Sequence, residues 1–298
     1  MSRTTSTPVV PVLATIGSAA LFGTSATSRA LSGLAIDSVT VASVRLLLGA
    51  LGLVAISAIS GRFAQLQALW KLKLIWVMGF GVAAYQALFF VGTGIVGVAI
   101  GTLASLALGP LFAGLLAWAR GQKRPSTIWW ISTIIAIAGL AVLSSSAFTG
   151  DVKLDPLGIL AAVGAGSAYA VYTVLGSQLA QADAHPTDVL AASFMIGAVL
   201  LLPLGVGHVS QFNSATGFVL ALWLGLATTT LAYVLFGKGI AALPAGTVAT
   251  LNLAEPVIAT ALGVVVLHET VSGISAMGCG LIALSLAVLA AATLRGKA

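Results

Sequence analysis

One carboxylate lies deep inside a long apolar segment in the last quarter of the chain. Glu255 is about nine residues into the apolar stretch 245–267, which at ~1.5 Å per residue places it roughly 14 Å along a helix. A charge at such a depth in a membrane is costly unless it is neutralised, paired or in contact with water. Glu255 is therefore interpreted as a proton-coupling group or as a site for a substrate ammonium. The alternative is structural, because Pro256 frees a backbone group that the carboxylate could cap.

Two prolines, Pro110 and Pro256, interrupt two apolar stretches near their middles. Interrupted hydrophobic segments at corresponding positions are the best sequence indication of a ligand site in a membrane transporter. Ser105 and Asn252 lie close to these prolines, and their side chains offer hydrogen bonds to a zwitterion. Two alternatives remain open: a proline kink that only aids packing, and small polar residues that only hold helices together.

Aromatic and amide side chains occur in the middle of several other apolar stretches. A tyrosine hydroxyl at mid-membrane depth needs a partner or water, which favours an interior position. The first apolar stretch is also unusually rich in Gly, Ser and Thr, so we expect it to face the interior of a helix bundle. These features predict a cavity wall that includes Ser18, Phe22, Tyr85, Gln86, Phe89, Tyr169, Tyr172 and Tyr233.

Three charged residues cluster around the outer ends of the first two apolar stretches: Arg29, Asp37 and Arg45. An ion pair between Asp37 and either arginine would form an outer gate. The alternative is that the two arginines extend toward the membrane surface beside a loop aspartate.

Other notable residues are interpreted as structural. Asp183, His185 and Asp188 are metal-ligand types in a connecting segment, but three weak ligands without a supporting motif predict a solvated loop and no metal site. The single cysteine, Cys279, is predicted to be a packing residue. Six tryptophans near the ends of apolar stretches are predicted to anchor helices at the membrane interface: Trp70, Trp76, Trp118, Trp129, Trp130 and Trp223.

The composition of the chain requires that these residues be positioned by membrane helices. Of the 298 residues, 59% are hydrophobic and only 7% are charged, whereas a soluble domain has about 25% charged residues. So few charges cannot cover a water-exposed surface, so most of the surface must face lipid. This excludes a soluble enzyme, a nucleic-acid-binding protein, a disulfide scaffold and a disordered chain.

Windows of about 20 apolar residues predict ten membrane-spanning helices and no soluble domain. The predicted spans are 10–31, 38–60, 73–93, 96–119, 127–148, 156–178, 188–207, 217–237, 245–267 and 271–293. With the N-terminus inside, ten of the thirteen Lys and Arg residues fall on the inner side. The positive-inside rule therefore predicts that both termini are cytoplasmic.

An internal repeat divides the chain into two halves of five spans, 1–150 and 151–298. Residues 92–106 and 237–251 are identical at seven of fifteen positions, and one inserted residue later Pro110 aligns with Pro256. Because five is an odd number, the second half must enter the membrane from the opposite side. The sequence thus predicts inverted-topology repeats, the architecture that lets a central site open alternately to either face.

These residues resemble the drug/metabolite transporter superfamily, specifically its ten-span EamA-type exporters. The resemblance covers essentially the whole chain and rests on the motifs 22–24, 45–48, 109–110, 243–246, 253–257 and 268–269. Two positions depart from the family pattern: Phe22 replaces the usual Trp, and Gln122-Lys123 replaces the usual Gly-Glu. The resemblance implies export of metabolites from a bacterial inner membrane, with most similarity to exporters of aromatic and neutral amino acids.

The predicted function is therefore secondary transport of a small molecule, with membrane lipid as surroundings and without a cofactor, metal or nucleic-acid partner. No phosphate-binding loop of the Gly-x4-Gly-Lys-Ser/Thr type occurs in the chain, so no ATP-driven step is expected. The alternatives are a multidrug or other metabolite exporter and, more remotely, a non-transporting membrane scaffold. An intramembrane enzyme is disfavoured because the three histidines all lie at span edges or in loops. The sequence does not determine the oligomeric state.

Overall fold

The computed structural model describes residues 8–145 and 155–296, and every regular element within these ranges is helical. Ten helical segments are long and apolar enough to cross a membrane, which confirms the predicted all-helical ten-span fold. Spans 1 to 10 are Val9–Ser32, Ser38–Ile59, Lys73–Val96, Val98–Ala119, Thr127–Ser145, Pro156–Gln181, Pro186–Phe212, Ala215–Ala242, Ala245–Leu267 and Gly273–Leu294. The predicted boundary between the halves, at residues 150 and 151, lies outside the described residues.

Several spans begin at a polar side chain that accepts a hydrogen bond from the first helical turn. Asp37 accepts from the Thr40 N–H at 2.9 Å at the start of span 2, and Asp155 accepts from the Leu157 N–H at 2.8 Å at the start of span 6. Such caps satisfy N–H groups that have no partner within the helix. The Thr40 N–H also holds the pKa of the exposed Asp37 carboxyl below its usual value. The short polar residues between apolar stretches thus determine where the helices begin.

The two spans that contain the paired prolines differ from each other. Span 9 is broken, with one helix ending at Leu251 and a second beginning at Ala254. Pro256 is in the first turn of that second helix, where a missing N–H costs little. Pro110, by contrast, lies inside a continuous helix. The predicted interruption at Pro110 is therefore wrong, and the break in span 9 is at Asn252 and Leu253.

Span 8 contains a feature that the sequence did not predict, a π-helical stretch over Trp223–Leu231. Three consecutive threonines stabilise these wide turns. The hydroxyls of Thr228 and Thr229 both donate to the Leu224 carbonyl at 2.8 Å, and the Thr230 hydroxyl donates to Gly49 on span 2 at 3.1 Å. π-helical turns are often found near functional sites, and here the wide turns directly precede Tyr233.

The principal contacts pair spans from opposite halves of the chain. Span 2 packs on spans 7 and 8, span 5 on span 10, span 4 on spans 6 and 9, and span 1 on spans 8 and 9, while span 3 packs on spans 6 and 7. Small residues allow two of these approaches. A Cβ atom at Gly23 would lie 2.9 Å from the Glu255 carbonyl oxygen, and one at Gly166 would lie 2.9 Å from the Ser105 carbonyl oxygen. Close packing of this kind, together with hydrogen bonds between helices, drives helix association in lipid.

One of the six tryptophans is not an interfacial anchor. Trp129 is only 2% exposed, because the missing side chains of Gly114 and Gly246 leave space for its ring; a Cβ atom at Gly246 would lie 3.1 Å from it. Trp76, Trp118 and Trp223 are 44–49% exposed, as a position at the surface of the bundle requires. The anchor prediction is therefore wrong for Trp129.

Candidate functional site

A cavity lies at the centre of the bundle, between the two halves of the chain. It is lined by residues of spans 1, 2, 3, 4, 6, 8 and 9 and has a volume of about 60 Å³. Its walls are formed by Phe22, Arg45, Tyr85, Ser105, Leu106, Gly109, Pro110, Tyr169, Tyr172, Tyr233, Ala249, Asn252, Leu253 and Glu255. We call this space the central cavity.

Tyrosine rings from three different spans form one wall of the central cavity. The ring centroids of Tyr85 and Tyr169 are 5.9 Å apart, and those of Tyr169 and Tyr172 are 5.2 Å apart. Phe22 lies 5.1 Å from Tyr233, whose hydroxyl is 3.3 Å from that of Tyr172. These separations are in the range at which aromatic rings attract each other. The cluster therefore presents ring surface for an apolar group and hydroxyls for a polar one.

The break in span 9 places an amide against both halves of the bundle. The Asn252 amide nitrogen donates to the Tyr169 hydroxyl at 3.1 Å, and its amide oxygen accepts from the Ser18 hydroxyl at 3.2 Å. Ser18 is fully buried and does not line the central cavity, so it positions Asn252 instead. The amide is thus fixed by span 1 on one side and by span 6 on the other.

Arg45 and Glu255 bring opposite charges to the central cavity. Within the described residues, neither side chain forms an ion pair at 4.0 Å or less, and none of the hydrogen bonds involves either charged group. The alternative role of the Glu255 carboxylate as a backbone cap thus has no contact to support it. Glu255 is in the first turn of the second helix of span 9, where the helix dipole favours a negative charge.

The predicted outer gate does not form as an ion pair in the part of the chain that the structure describes. Asp37 caps span 2, and the Arg29 guanidinium donates to the Ile36 carbonyl at 3.1 Å instead of to Asp37. Arg45 is eight residues into span 2 from Asp37, and it lines the central cavity. About 12 Å of helix separates the start of span 2 from Arg45, and no ion pair joins Asp37 to Arg45.

Two more residues predicted for the cavity wall, Gln86 and Phe89, do not line the central cavity, and neither does Pro256, which was predicted as a helix break. Gln86 is buried, and Phe89 is half-buried with its ring centroid 6.0 Å from that of Tyr85. Pro256 follows Glu255 and shapes the start of its helix. Ser105 and Pro110 do line the cavity, as do Leu106, Ala249 and Leu253, which sequence reasoning missed. Because most of the chain is apolar, the sequence does not distinguish an apolar residue that lines the cavity from one that faces lipid.

A second charged group is buried where the last turn of span 2 meets the first turn of span 7. A solvated loop was predicted at this position. Asp188, which is 2% exposed, accepts hydrogen bonds from the Ser57 hydroxyl at 2.6 Å and from the Arg62 guanidinium at 3.1 Å. Span 7 begins at Pro186, two residues earlier than predicted, so Asp188 belongs to its first turn. Partial burial and the charge of Arg62 lower the pKa of the neighbouring His185. We call Ser57, Arg62, His185 and Asp188 the Asp188 cluster.

A family model matches most of the chain, in two segments. The model of the EamA-like transporter family matches residues 7–145 and again 156–291. A protein of known crystal structure also shares the fold, with a TM-score of 0.82 over 97% of this chain and 99% of its own, at 23% identity.

Similar sequences are transporters from bacteria. The chain is 38% identical over 229 residues to the uncharacterized transporter YwfM of Bacillus subtilis, an alignment that covers 76% of each protein. It is 32% identical over 253 residues to the threonine/homoserine exporter RhtA of Salmonella typhimurium, covering 83% of this chain and 80% of the relative. The RhtA of Escherichia coli K12 is 30% identical over 254 residues, covering 81% and 78%. The chain therefore belongs to the EamA-like transporter family, and it is a multi-pass transporter of the bacterial inner membrane and not an enzyme.

Proposed function

We propose that the protein is a secondary transporter that exports amino acids with aromatic or other neutral side chains. One observation carries the proposal: a cavity lined by residues of both halves combines aromatic rings with two opposite charges, neither of which forms an ion pair within the described residues. Ligand sites generally pair an apolar surface with a few placed polar groups. An amino acid offers the matching combination of a charged backbone and a neutral side chain.

The relatives support an amino acid as substrate. Those whose names include a substrate are threonine/homoserine exporters, and they align over about four-fifths of this chain. Threonine and homoserine are neutral amino acids. The tyrosine wall of the central cavity adds a surface for a larger aromatic side chain, and the proposed substrates extend to tryptophan for that reason.

The central cavity must widen before any substrate can bind. A volume of about 60 Å³ is smaller than a whole amino acid needs and far smaller than a drug-sized site, which is about 300–1,000 Å³. Entry of a substrate therefore requires the surrounding spans to move apart. A small metabolite requires less opening than a drug does.

Alternating access between inverted repeats is the proposed mechanism. Each span of the first half corresponds to the span five places later in the second half. When every span is replaced by its counterpart, the principal contacts form the same set: the contact of span 4 with span 6, for example, becomes the contact of span 9 with span 1. The family model also matches each half separately. Residues 1–150 and 151–298 are the proposed halves, and rocking of one against the other would open the central cavity to each face in turn.

The proposed orientation has both termini in the cytoplasm. The connections between spans 2 and 3 and between spans 4 and 5 carry five Lys and Arg residues, namely Arg62, Lys71, Arg120, Lys123 and Arg124, and Lys73 is the first residue of span 3. Loops rich in these residues remain on the cytoplasmic side. Net movement through the central cavity toward the opposite face would then be export.

Stabilisation by the substrate tests the proposed function in purified protein. A ligand that binds only the folded state adds about 2.7 kcal/mol of stability at a concentration 100 times its Kd. We expect tryptophan and threonine to raise the thermal transition of the detergent-solubilised protein, and sodium glutamate at the same concentration to leave it unchanged. A membrane scaffold without transport activity would respond to none of the three, and that result would overturn the proposal.

The tyrosine wall should determine which amino acids are carried. We expect Tyr85→Ala and Tyr169→Ala to reduce tryptophan transport about tenfold relative to threonine, because each removes ring surface that only the larger side chain contacts. Phe89→Ala is the matched control, since it removes a ring of span 3 that lies outside the central cavity. The measurement is competition between the two labelled amino acids for uptake into proteoliposomes. Equal losses for both substrates would mean that the tyrosines serve packing.

A further inference from the structure

We propose that Arg45 and Glu255 hold the two ends of one zwitterion, with Arg45 binding the α-carboxylate and Glu255 binding the α-ammonium. The assignment rests on the proposed function and goes beyond it by naming the polar contacts that select the substrate. It makes Arg45, which the sequence had placed at an outer gate, a substrate-binding residue.

Arg45 lines the central cavity and forms no ion pair with any residue that the structure describes. Its neighbours on span 2 include Ala42 and Leu46, which are both buried at 1% exposure. Arg29, the other arginine of this end of the bundle, is bound by the Ile36 carbonyl, whereas Arg45 has no acceptor among the described residues. An arginine at membrane depth requires a partner or water, and its planar guanidinium matches a carboxylate with two parallel hydrogen bonds.

Glu255 is the complementary anion on the opposite half of the chain. Its carboxylate lines the same cavity as Arg45, but the two groups do not form an ion pair with each other. A direct pair would neutralise both charges and leave none for a ligand. Since the charges remain separate, a molecule with a carboxylate and an ammonium can satisfy both at once.

The pair also excludes ligands with only one of the two charges. An amine without a carboxylate would approach Glu255 but would leave Arg45 unpaired, and a carboxylic acid without an amine would leave Glu255 unpaired. Burying a charge without a partner is strongly unfavourable. Discrimination of this kind comes from repulsion as much as from attraction.

The remainder of the wall restricts the side chain of the substrate. Apart from Arg45 and Glu255, the residues that line the central cavity are aromatic, aliphatic or neutral and polar. A charged side chain, such as that of lysine, would have no partner there once the α-groups are bound. The substrate class is therefore α-amino acids with an uncharged side chain.

A set of tryptophan analogues tests the assignment by binding to the purified, full-length protein. Tryptamine lacks the carboxylate and indole-3-propionate lacks the ammonium, while both keep the ring. We expect the wild-type protein to bind tryptophan at least about tenfold more tightly than either analogue, in line with the strength of charge-assisted hydrogen bonds. Arg45→Gln should abolish the preference over tryptamine, and Glu255→Gln should abolish the preference over indole-3-propionate.

Two further variants separate binding from folding. Arg45→Lys keeps the charge and should retain part of the preference over tryptamine. Arg124→Gln removes an arginine that stacks on Trp118 outside the central cavity and should bind all three compounds as the wild type does. If Arg45→Gln weakens tryptophan and tryptamine by the same factor, Arg45 does not bind the carboxylate and the assignment is overturned. If the wild-type protein binds none of the three compounds, the proposed function itself is overturned. That outcome is distinguishable from the previous one, in which tryptophan still binds to the wild type.

Discussion

Glu255→Gln is expected to leave the protein folded while abolishing the acceleration of transport by a proton gradient. Glutamine has nearly the shape of glutamate, but its amide does not ionise and so cannot take up and release a proton during transport. If protons and the substrate ammonium compete for the Glu255 carboxylate, the variant loses the step that couples their movements. We expect gradient-driven flux to fall by about 100-fold, of the order of the losses that follow removal of one essential proton-transfer group.

The measurement is the flux of labelled substrate into proteoliposomes that contain the Glu255→Gln variant, with and without a pH difference across the membrane. Glu269→Gln is the matched control, because Glu269 is the next glutamate along the chain and is exposed beyond the end of span 9. A Glu255→Gln variant that responds to the pH difference as the wild type does would make this carboxylate a structural residue.

Asp188→Asn is expected to cause the largest loss of stability of any single change considered for this protein. Asp188 is 2% exposed and accepts from both Arg62 and Ser57. Removing one partner of a buried ion pair leaves the other charge uncompensated, which costs about 3–5 kcal/mol. Because Arg62 retains 26% exposure, we expect a loss near the lower end, about 3 kcal/mol.

Asp183→Asn provides the comparison for this change. Asp183 lies five residues earlier in the exposed turn before span 7, so the same chemical change there should alter the thermal transition very little. The double variant Arg62→Gln with Asp188→Asn should recover part of the lost stability, because it removes both charges. If Asp188→Asn and Asp183→Asn unfold at the same temperature, the Asp188 cluster does not stabilise the bundle.

The cavity could largely be predicted from the sequence, and the reasons are physical. Tyrosines and a carboxylate in the middle of apolar stretches must avoid lipid, so Tyr85, Tyr169, Tyr172 and Glu255 had few positions other than the interior. The structure places all four on the wall of the central cavity. In a membrane chain, polarity at depth is therefore a strong signal for the interior.

The sequence-based predictions that were wrong concern residues whose partners are distant in the sequence or lie on neighbouring helices. Asp188 was expected to be solvated because its partners, Ser57 and Arg62, are more than a hundred residues away. Trp129 was expected at the surface, but glycines on spans 4 and 9 make room for its ring inside. Pro110 was expected to break its helix, but a proline inside a membrane helix is tolerated where neighbouring groups compensate for its missing N–H. None of these partners can be identified from local sequence.

Uptake of labelled tryptophan into proteoliposomes with an acidic lumen tests the central claim most directly. Because protons would leave the lumen as the amino acid enters, the account predicts saturable uptake that exceeds that of empty liposomes and slows when a protonophore removes the pH difference. Threonine should behave in the same way, and lysine should not be carried. Absence of saturable flux for tryptophan and threonine would leave the ten-span family fold intact and would contradict amino-acid export by this protein.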